Sequence, residues 1–321
     1  MDTERGADSG LGARLRPAPL ARDRRADGAH RPTEFAIETA IRVLGFSTVA
    51  FVLLIFLFLL REGTPFFFEV PLENFLGTGW YPTFDSFGVL PLLLGSILVT
   101  LTSIVIALPL GVATAVCVRE VAPAWTREIL KPMIEVLAGI PSVVLGFFGM
   151  TLLAPFIREA LGVPTGLTAF TGALLLAYMA LPTIISVAED ALDAVPKSYR
   201  DAALAMGATR WQTIWRVVVP GARSGILIAV MLGMGRAIGE TMAVMMVTGN
   251  AARLPLSLDS IFRPVRTMTA TIAAEMGEVA DGSTHYHALF GLGLVLFILT
   301  FIINLAAAPA ILQRRRGGGL R

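Results

Sequence analysis

Six apolar runs constrain this chain more than any other feature, each close to the ~20 residues a helix needs to cross ~30 Å of hydrocarbon. They read as helices over roughly Ile41–Leu60, Val89–Val118, Ile134–Ile157, Leu167–Val187, Ser224–Thr248 and Leu289–Leu312. Backbone groups in hydrocarbon find no water, so such runs satisfy their hydrogen bonds internally as helices. The pattern predicts an all-α integral membrane protein with six transmembrane helices. Its 55% apolar share agrees, since soluble domains lie nearer ~45–50%.

The stretches between the runs set the organisation. Residues 1–34 are rich in Arg, Asp, Gly, Ala and Pro, lack apolar periodicity and read as a disordered cytoplasmic tail. They are too long and too acidic for the start of a cleaved signal peptide. Residues 35–88 hold the first helix and an extracytoplasmic loop, where Pro65, Pro71, Pro82 and Trp80-Tyr81 suit a membrane border. Residues 89–312 form the main membrane domain, and 313–321 a basic cytoplasmic tail.

Basic residues orient the spans. Eight lie up to Arg42, three from Arg119 to Lys131, five from Lys197 to Arg223 and four from Arg314 to Arg321, twenty in all. The alternate segments hold five: Arg61, Arg158, Arg253, Arg263 and Arg266. Twenty against five places the first set, and both termini, on the cytoplasmic side of the membrane. The net charge of +2 gives no ground for a nucleic-acid partner, and the single Cys117 excludes an internal disulfide.

Two features resist a purely structural account. The first is a pair of charges, Arg236 and Glu240, inside the fifth run, where an Arg costs ~2.5–3.5 kcal/mol on insertion scales. Four residues apart on a continuous helix they share a face and can pair. Gly233, Gly235 and Gly239 thin the same helix, so that a neighbour or a substrate can approach its backbone. Either the pair fixes helix packing, or Arg236 offers its planar fork to an oxyanion while Glu240 balances it when the path is empty. The second is the polar stretch Ser198–Pro220, with helix formers and amphipathic placement of Leu204, Trp211, Ile214 and Trp215. By itself it reads as a helix at the head groups, with the tryptophans as anchors.

Within that stretch the order is Asp201-Ala202-Ala203, three residues, Gly207, nine residues, then Val217-Val218-Val219-Pro220. It resembles the Glu-Ala-Ala…Gly…Ile-x-Leu-Pro loop of ABC importer permeases, with Asp for Glu and Val for Ile and Leu. The resemblance implies a MetI-like (type I) permease core and a coupling helix that docks on a separate ATPase, with Asp201, Ala202, Ala203, Gly207 and Pro220 as coupling residues.

No ATP chemistry is expected in this chain. A P-loop needs Gly-Lys followed by Ser or Thr, and the only lysines, Lys131 and Lys197, follow Leu130 and Pro196. The run Gly233–Gly239 is only superficially a dinucleotide fingerprint, its last glycine being one position late. His-Glu-x-x-His and Gly-x-Ser-x-Gly are absent. The expectation is a transport subunit without cofactor, with ATP and Mg bound by a partner.

The resemblance narrows at Gly235-Arg236-Ala237-Ile238-Gly239-Glu240-Thr241-Met242-Ala243-Val244, which looks like the signature of phosphate-specific importer permeases of the PstC type. Glu135–Phe148, Ile272–Glu278, His285–Phe290 and Phe301–Leu305 agree with that type, and the likeness covers about residues 35 to 312. It implies a heterodimer with a PstA-like permease, a PstB-like ATPase dimer, a PstS-like phosphate-binding protein and a phosphate path past Arg236, Glu240, Thr241 and Ser142. The Ser142 hydroxyl can equally pack at a helix end. Within the class, sulfate or molybdate transport or the sister PstA-like role are alternatives; outside it, an ATP-independent anion channel or a regulatory membrane scaffold. On the outer side, Glu275, Glu278, Asp281, His285 and His287 form no convincing metal set and read as a docking surface or a solvated loop. Arg253, Arg263 and Arg266 suit either anion steering or lipid head groups.

Overall fold

The computed structural model describes residues 32–317. The chain divides into two units, Met1–Leu54 and Ile55–Arg321; the packed helices described below belong to the second. Residues 1–31 and 318–321, most of the two expected tails, lie outside the described residues.

Helix α1 (Pro32–Glu69) continues through Arg61 and Pro65, where the sequence suggested a loop. Burial explains the extension: Phe66 is fully buried and meets Phe75 and Phe87 edge-on, so its last turns are held by packing. A short α2 (Leu72–Phe75) and a hairpin of β1 (Trp80–Tyr81) and β2 (Ser86–Phe87) follow, with Trp80 opposite Phe87. Tyr81 is exposed as a border aromatic would be, but Trp80 turns inward and is buried.

Helix α3 (Leu90–Val116) ends in a wide π turn, Cys117–Val121. Helix α4 (Ala124–Ala138) begins ahead of the third apolar run, takes up its first five residues and ends as a separate element. The predicted span Ile134–Ile157 is therefore broken at Gly139–Pro141, because proline excludes the preceding residue from helix and supplies no N–H. Beyond the break come α5 (Ser142–Phe148), a π turn (Gly149–Leu153) and α6 (Ala154–Leu161), which together make one span from Ser142 to Leu161.

Helix α7 (Ala169–Asp193) is the centre of the bundle, the most deeply buried of the candidate spans. Its small residues Gly172, Ala173, Ala177, Ala180 and Ala188 are all buried, allowing α3 and the later helices to approach closely. Pro109 of α3 and Pro182 of α7 are accommodated within their helices. After α7 come α8 (Lys197–Ala205), α9 (Arg210–Thr213), a π turn (Ile214–Val218) and α10 (Val219–Gly221).

The fifth predicted span, Ser224–Thr248, is also interrupted: α11 (Arg223–Gly239) stops, and α12 (Met242–Val247) starts after an extended Glu240. The segments Arg210–Gly221 and Arg223–Gly239 meet at a bend of 67° and pass as a span only together. Helix α13 (Met268–Glu275) is short, and α14 (Thr284–Gly317) closes the described chain. Among the described residues five helices are long and apolar enough to cross a membrane, six with the bent pair.

Among the described residues four core regions run along the bundle, the smallest of them Ala107, Ala177, Ala180 and Ile184. At one end Phe66, Trp80, Phe87, Leu92, Met268, Leu289 and Leu292 pack together. In the middle Val99, Leu176 and Met179 meet Ala237, Val244 and Val247. At the other end Ala115, Ile185, Leu192, Ile214, Val218 and Ala222 close the bundle beneath α8.

Candidate functional site

Arg236 sits three residues before the end of α11 and is exposed. Its Nη1 lies 3.4 Å from Thr183 Oγ1 on α7, and its Nη2 lies 3.5 Å from the carbonyl oxygen of Ala138, the last residue of α4. Both are longer than an ordinary N–H···O bond of ~2.7–3.2 Å, so most of the guanidinium's donor capacity is uncommitted. Among the described residues no carboxylate lies within 4.0 Å of it.

The expected Arg236–Glu240 pair is thus not formed. Helix α11 ends at Gly239, and Glu240 is extended at φ −71°, ψ 130°. Its Oε1 instead accepts from the Ala243 N–H at 3.4 Å, in the first turn of α12, while its carbonyl accepts from Thr269 Oγ1 at 3.0 Å. The carboxylate thereby serves a helix start, the place where backbone donors lack partners. Thr241 donates its hydroxyl to the Gly239 carbonyl at 3.2 Å, and half-buried Ser142 opens α5 just after Pro141.

Two interrupted helices meet here. Arg236 touches the end of α4 at one break and stands four residues ahead of the other. Helix α12 crosses α5 at Gly146, where an added Cβ would meet Met246 Sδ at 2.9 Å and Ala243 Cα at 3.0 Å. Gly233 faces Ile184 of α7, whereas nothing lies near Gly235 and Gly239. Of the three helix-thinning glycines, then, one serves packing and two border the open side. Discontinuous helices around a charge in a membrane are a recurrent way to build an ion site, and this one offers an unneutralised fork suited to an oxyanion.

The second site is α8. It buries none of its residues, and it ends at Gly207, whose φ of +82° is the left-handed conformation that glycine adopts freely. Thr209 then starts α9 with a capping box closed by Gln212. Asp201 and Ala202 are exposed, Ala203 is half-buried, and Pro220 lies exposed in α10 next to the 67° bend. Tyr199, Leu204 and Met206 are also exposed, the last at 89%. Trp211 and Trp215 meet edge-on, both exposed.

Beside the β1–β2 hairpin Glu275 is a hub. Its Oε1 receives Arg266 Nη2 at 2.8 Å; its Oε2 is 2.9 Å from both Trp80 Nε1 and His285 Nε2. These half-buried contacts staple the hairpin to α13 and α14, so Glu275 and His285 do not belong to a solvated loop. Glu278 and Asp281 are exposed, and neither side chain bonds to this hub. Among the described residues no His, Cys, Asp or Glu group could hold a metal ion. Sequence reasoning missed Thr183, Met206 and the hub, in which Trp80 bonds Glu275 across 195 residues of sequence.

Residues 107–317 match the family described as binding-protein-dependent transport system inner membrane component. The chain belongs to that family. Its members are transport components of the inner membrane rather than enzymes. The probable ABC transporter permease protein YqgH of Bacillus subtilis is 43% identical over 238 residues, 73% of this chain and 76% of the relative. The phosphate transport system permease protein PstC of Mesorhizobium japonicum is 39% identical over 254 residues, again 73% and 76%. PstC 1 of Mycobacterium tuberculosis is 35% identical over 71% of this chain and 73% of its own length.

Solved structures agree on the fold. A chain of the MetNI methionine ABC transporter in inward-facing conformations superposes with a TM-score of 0.53 at 21% identity, over 67% of this chain and 90% of that one. A chain of the bacterial alginate ABC transporter, in complex with an alginate-pentasaccharide-bound periplasmic protein, gives 0.58 at 12% identity, over 86% and 94%. The MetI-like permease core expected from the coupling loop is the fold observed.

Proposed function

We propose that the chain is the PstC-like permease subunit of an ATP-driven importer of inorganic phosphate. The observation that carries this reading is Arg236, a guanidinium with no carboxylate partner among the described residues, where two broken helices meet. Relatives named as phosphate transport permeases at 35–39% identity support the substrate. A planar fork with free donors matches two phosphate oxygens bidentately. Thr183, Thr241 and Ser142 supply hydroxyls near the same breaks, and Glu240 shapes the site by holding the start of α12.

In this reading the chain spans a bacterial inner membrane with both termini in the cytoplasm and pairs with a PstA-like permease. Asp201, Ala202, Ala203 and Gly207 present α8 to a PstB-like ATPase dimer, which binds the ATP and Mg that this chain has no motif to hold. A PstS-like protein delivers phosphate from outside. Closure of the ATPases moves α8, and Pro220 and the bend at Ala222 carry the movement into α11. ATP can bias the two states only because their contacts with the partners differ.

Uptake of labelled phosphate, with sulfate as competitor, tests this in cells lacking their own importer and carrying the whole operon. Selective uptake that Arg236→Ala abolishes in an assembled complex is the expected result. A wild type that accumulates no phosphate overturns the substrate. Normal uptake by Arg236→Ala reduces the arginine to packing.

A further inference from the structure

Helix α8 must pass a push from an ATPase to the membrane helices, yet it has no buried side chain with which to do so. What fastens it is Arg200, immediately before the Asp201-Ala202-Ala203 motif. The Arg200 Nη1 donates to the Val195 carbonyl at 2.6 Å. Its Nη2 donates to the Leu192 carbonyl and to Glu120 Oε1, both at 2.8 Å. Leu192 and Val195 bracket the end of α7, where carbonyls lack helical partners and favour a cation. Glu120 belongs to the π turn that ends α3. One side chain of α8 thus holds two membrane helices.

The neighbourhood reinforces the joint. Arg119 pairs with Asp193, tying the same two helix ends directly. Arg127 of α4 donates to the carbonyls of Val118 at 3.1 Å and Arg119 at 2.7 Å, and Arg210 of α9 to that of Glu120 at 3.0 Å. These groups surround a hollow of about 280 Å³ that Asp201 and Lys197 also line. The Arg200 and Glu120 side chains are only 18% and 13% exposed, so solvent screens this pair far less than a surface ion pair.

We propose that Arg200 is a positioning residue for coupling, the clamp through which α8 moves α3 and α7 as well as α11. It touches neither the transported anion nor ATP. The inference rests on the reading of α8 as the ATPase-docking helix. A flexible, unclamped α8 would still dock, but it would yield to the ATPase instead of transmitting its movement.

The test uses the full complex in proteoliposomes, comparing wild type with Arg200→Gln, Arg200→Lys and Glu120→Gln. Three quantities are read: ATPase retained on the purified permease, the stimulation of hydrolysis by the loaded binding protein, and phosphate accumulated per ATP. For Arg200→Gln we expect normal ATPase retention, basal hydrolysis within about twofold of wild type, stimulation lost and phosphate per ATP lowered at least about tenfold. Lys, with the charge but no fork, and Glu120→Gln should fall between. Unchanged stimulation and stoichiometry in Arg200→Gln and Glu120→Gln overturn the clamp, as does a parallel loss of hydrolysis and uptake at constant ratio. Should Arg200→Gln fail to assemble, the same ratios in Arg200→Lys and Glu120→Gln decide. Stimulation of hydrolysis does not depend on which anion is carried, so a wild type that is stimulated but accumulates no phosphate refutes only the substrate.

Discussion

The Arg236 guanidinium approaches the Ala138 carbonyl to 3.5 Å across 98 residues of sequence. The distance is too long for a strong bond, and the arginine is exposed, with no carboxylate partner among the described residues. A lysine keeps the charge but cannot form the fork. With charge-assisted bonds worth ~1.5–3 kcal/mol, Arg236→Lys should lower phosphate uptake about ten- to a hundredfold. Labelled uptake at matched membrane abundance measures this.

Glu240 supports α12 rather than neutralising Arg236, so its charge should matter less than its acceptor oxygen. Glu240→Gln retains that oxygen and should leave the thermal midpoint in detergent close to wild type. Glu240→Ala removes it and should cost about 1 kcal/mol, the usual loss of a helix-start acceptor. A Gln variant as unstable as the Ala variant would restore the ion-pair account.

At the crossing of α5 and α12, Gly146 leaves no room for a side chain. Overfilling a packed contact costs ~1–3 kcal/mol, and Gly146→Val should lower the unfolding temperature and uptake together. A valine tolerated without either effect would mean that the two half-helices do not cross this closely.

Glu275 is the common acceptor for Arg266, Trp80 and His285. In Glu275→Ala three donors lose their partner, and Arg266, whose Nε is already buried without one, loses its counter-charge. An unsatisfied buried group costs ~1–3 kcal/mol, so the variant should unfold at lower temperature with a more solvent-accessible Trp80. Thermal scans with tryptophan-quenching read both.

Met206 is 89% exposed and contributes little to folding. Met206→Asp should leave the permease's thermal stability unchanged while reducing the ATPase that co-purifies with it severalfold. Full retention of the ATPase would remove Met206 from the docking surface.

Much of this protein is local, and local features are legible. A run of apolar residues obliges the backbone to close its own hydrogen bonds, so the number and approximate place of the spans followed from the chain alone. The turn within Asp201–Pro220 was legible for a similar reason: a glycine for a left-handed conformation and a proline after it act within a few residues. The family came from the same level.

Where helices break, and what their charges then touch, was a tertiary matter. Gly139–Pro141 could have ended a helix or kinked one. Glu240 could have continued α11 as Arg236's partner, until its carboxylate was taken by Ala243 N–H and its carbonyl by Thr269. Trp80 and Glu275, or Arg200 and Glu120, meet only because helices distant in sequence pack side by side. Periodicity along one helix tells which face is apolar, not which side chain from another helix will meet it. Short-range hydrogen bonding and hydrophobicity were enough to foretell a permease of about six spans with a charge in the fifth. That Arg236 stands between two broken helices with no carboxylate partner among the described residues emerged from packing, because packing sets the distances on which pairing depends.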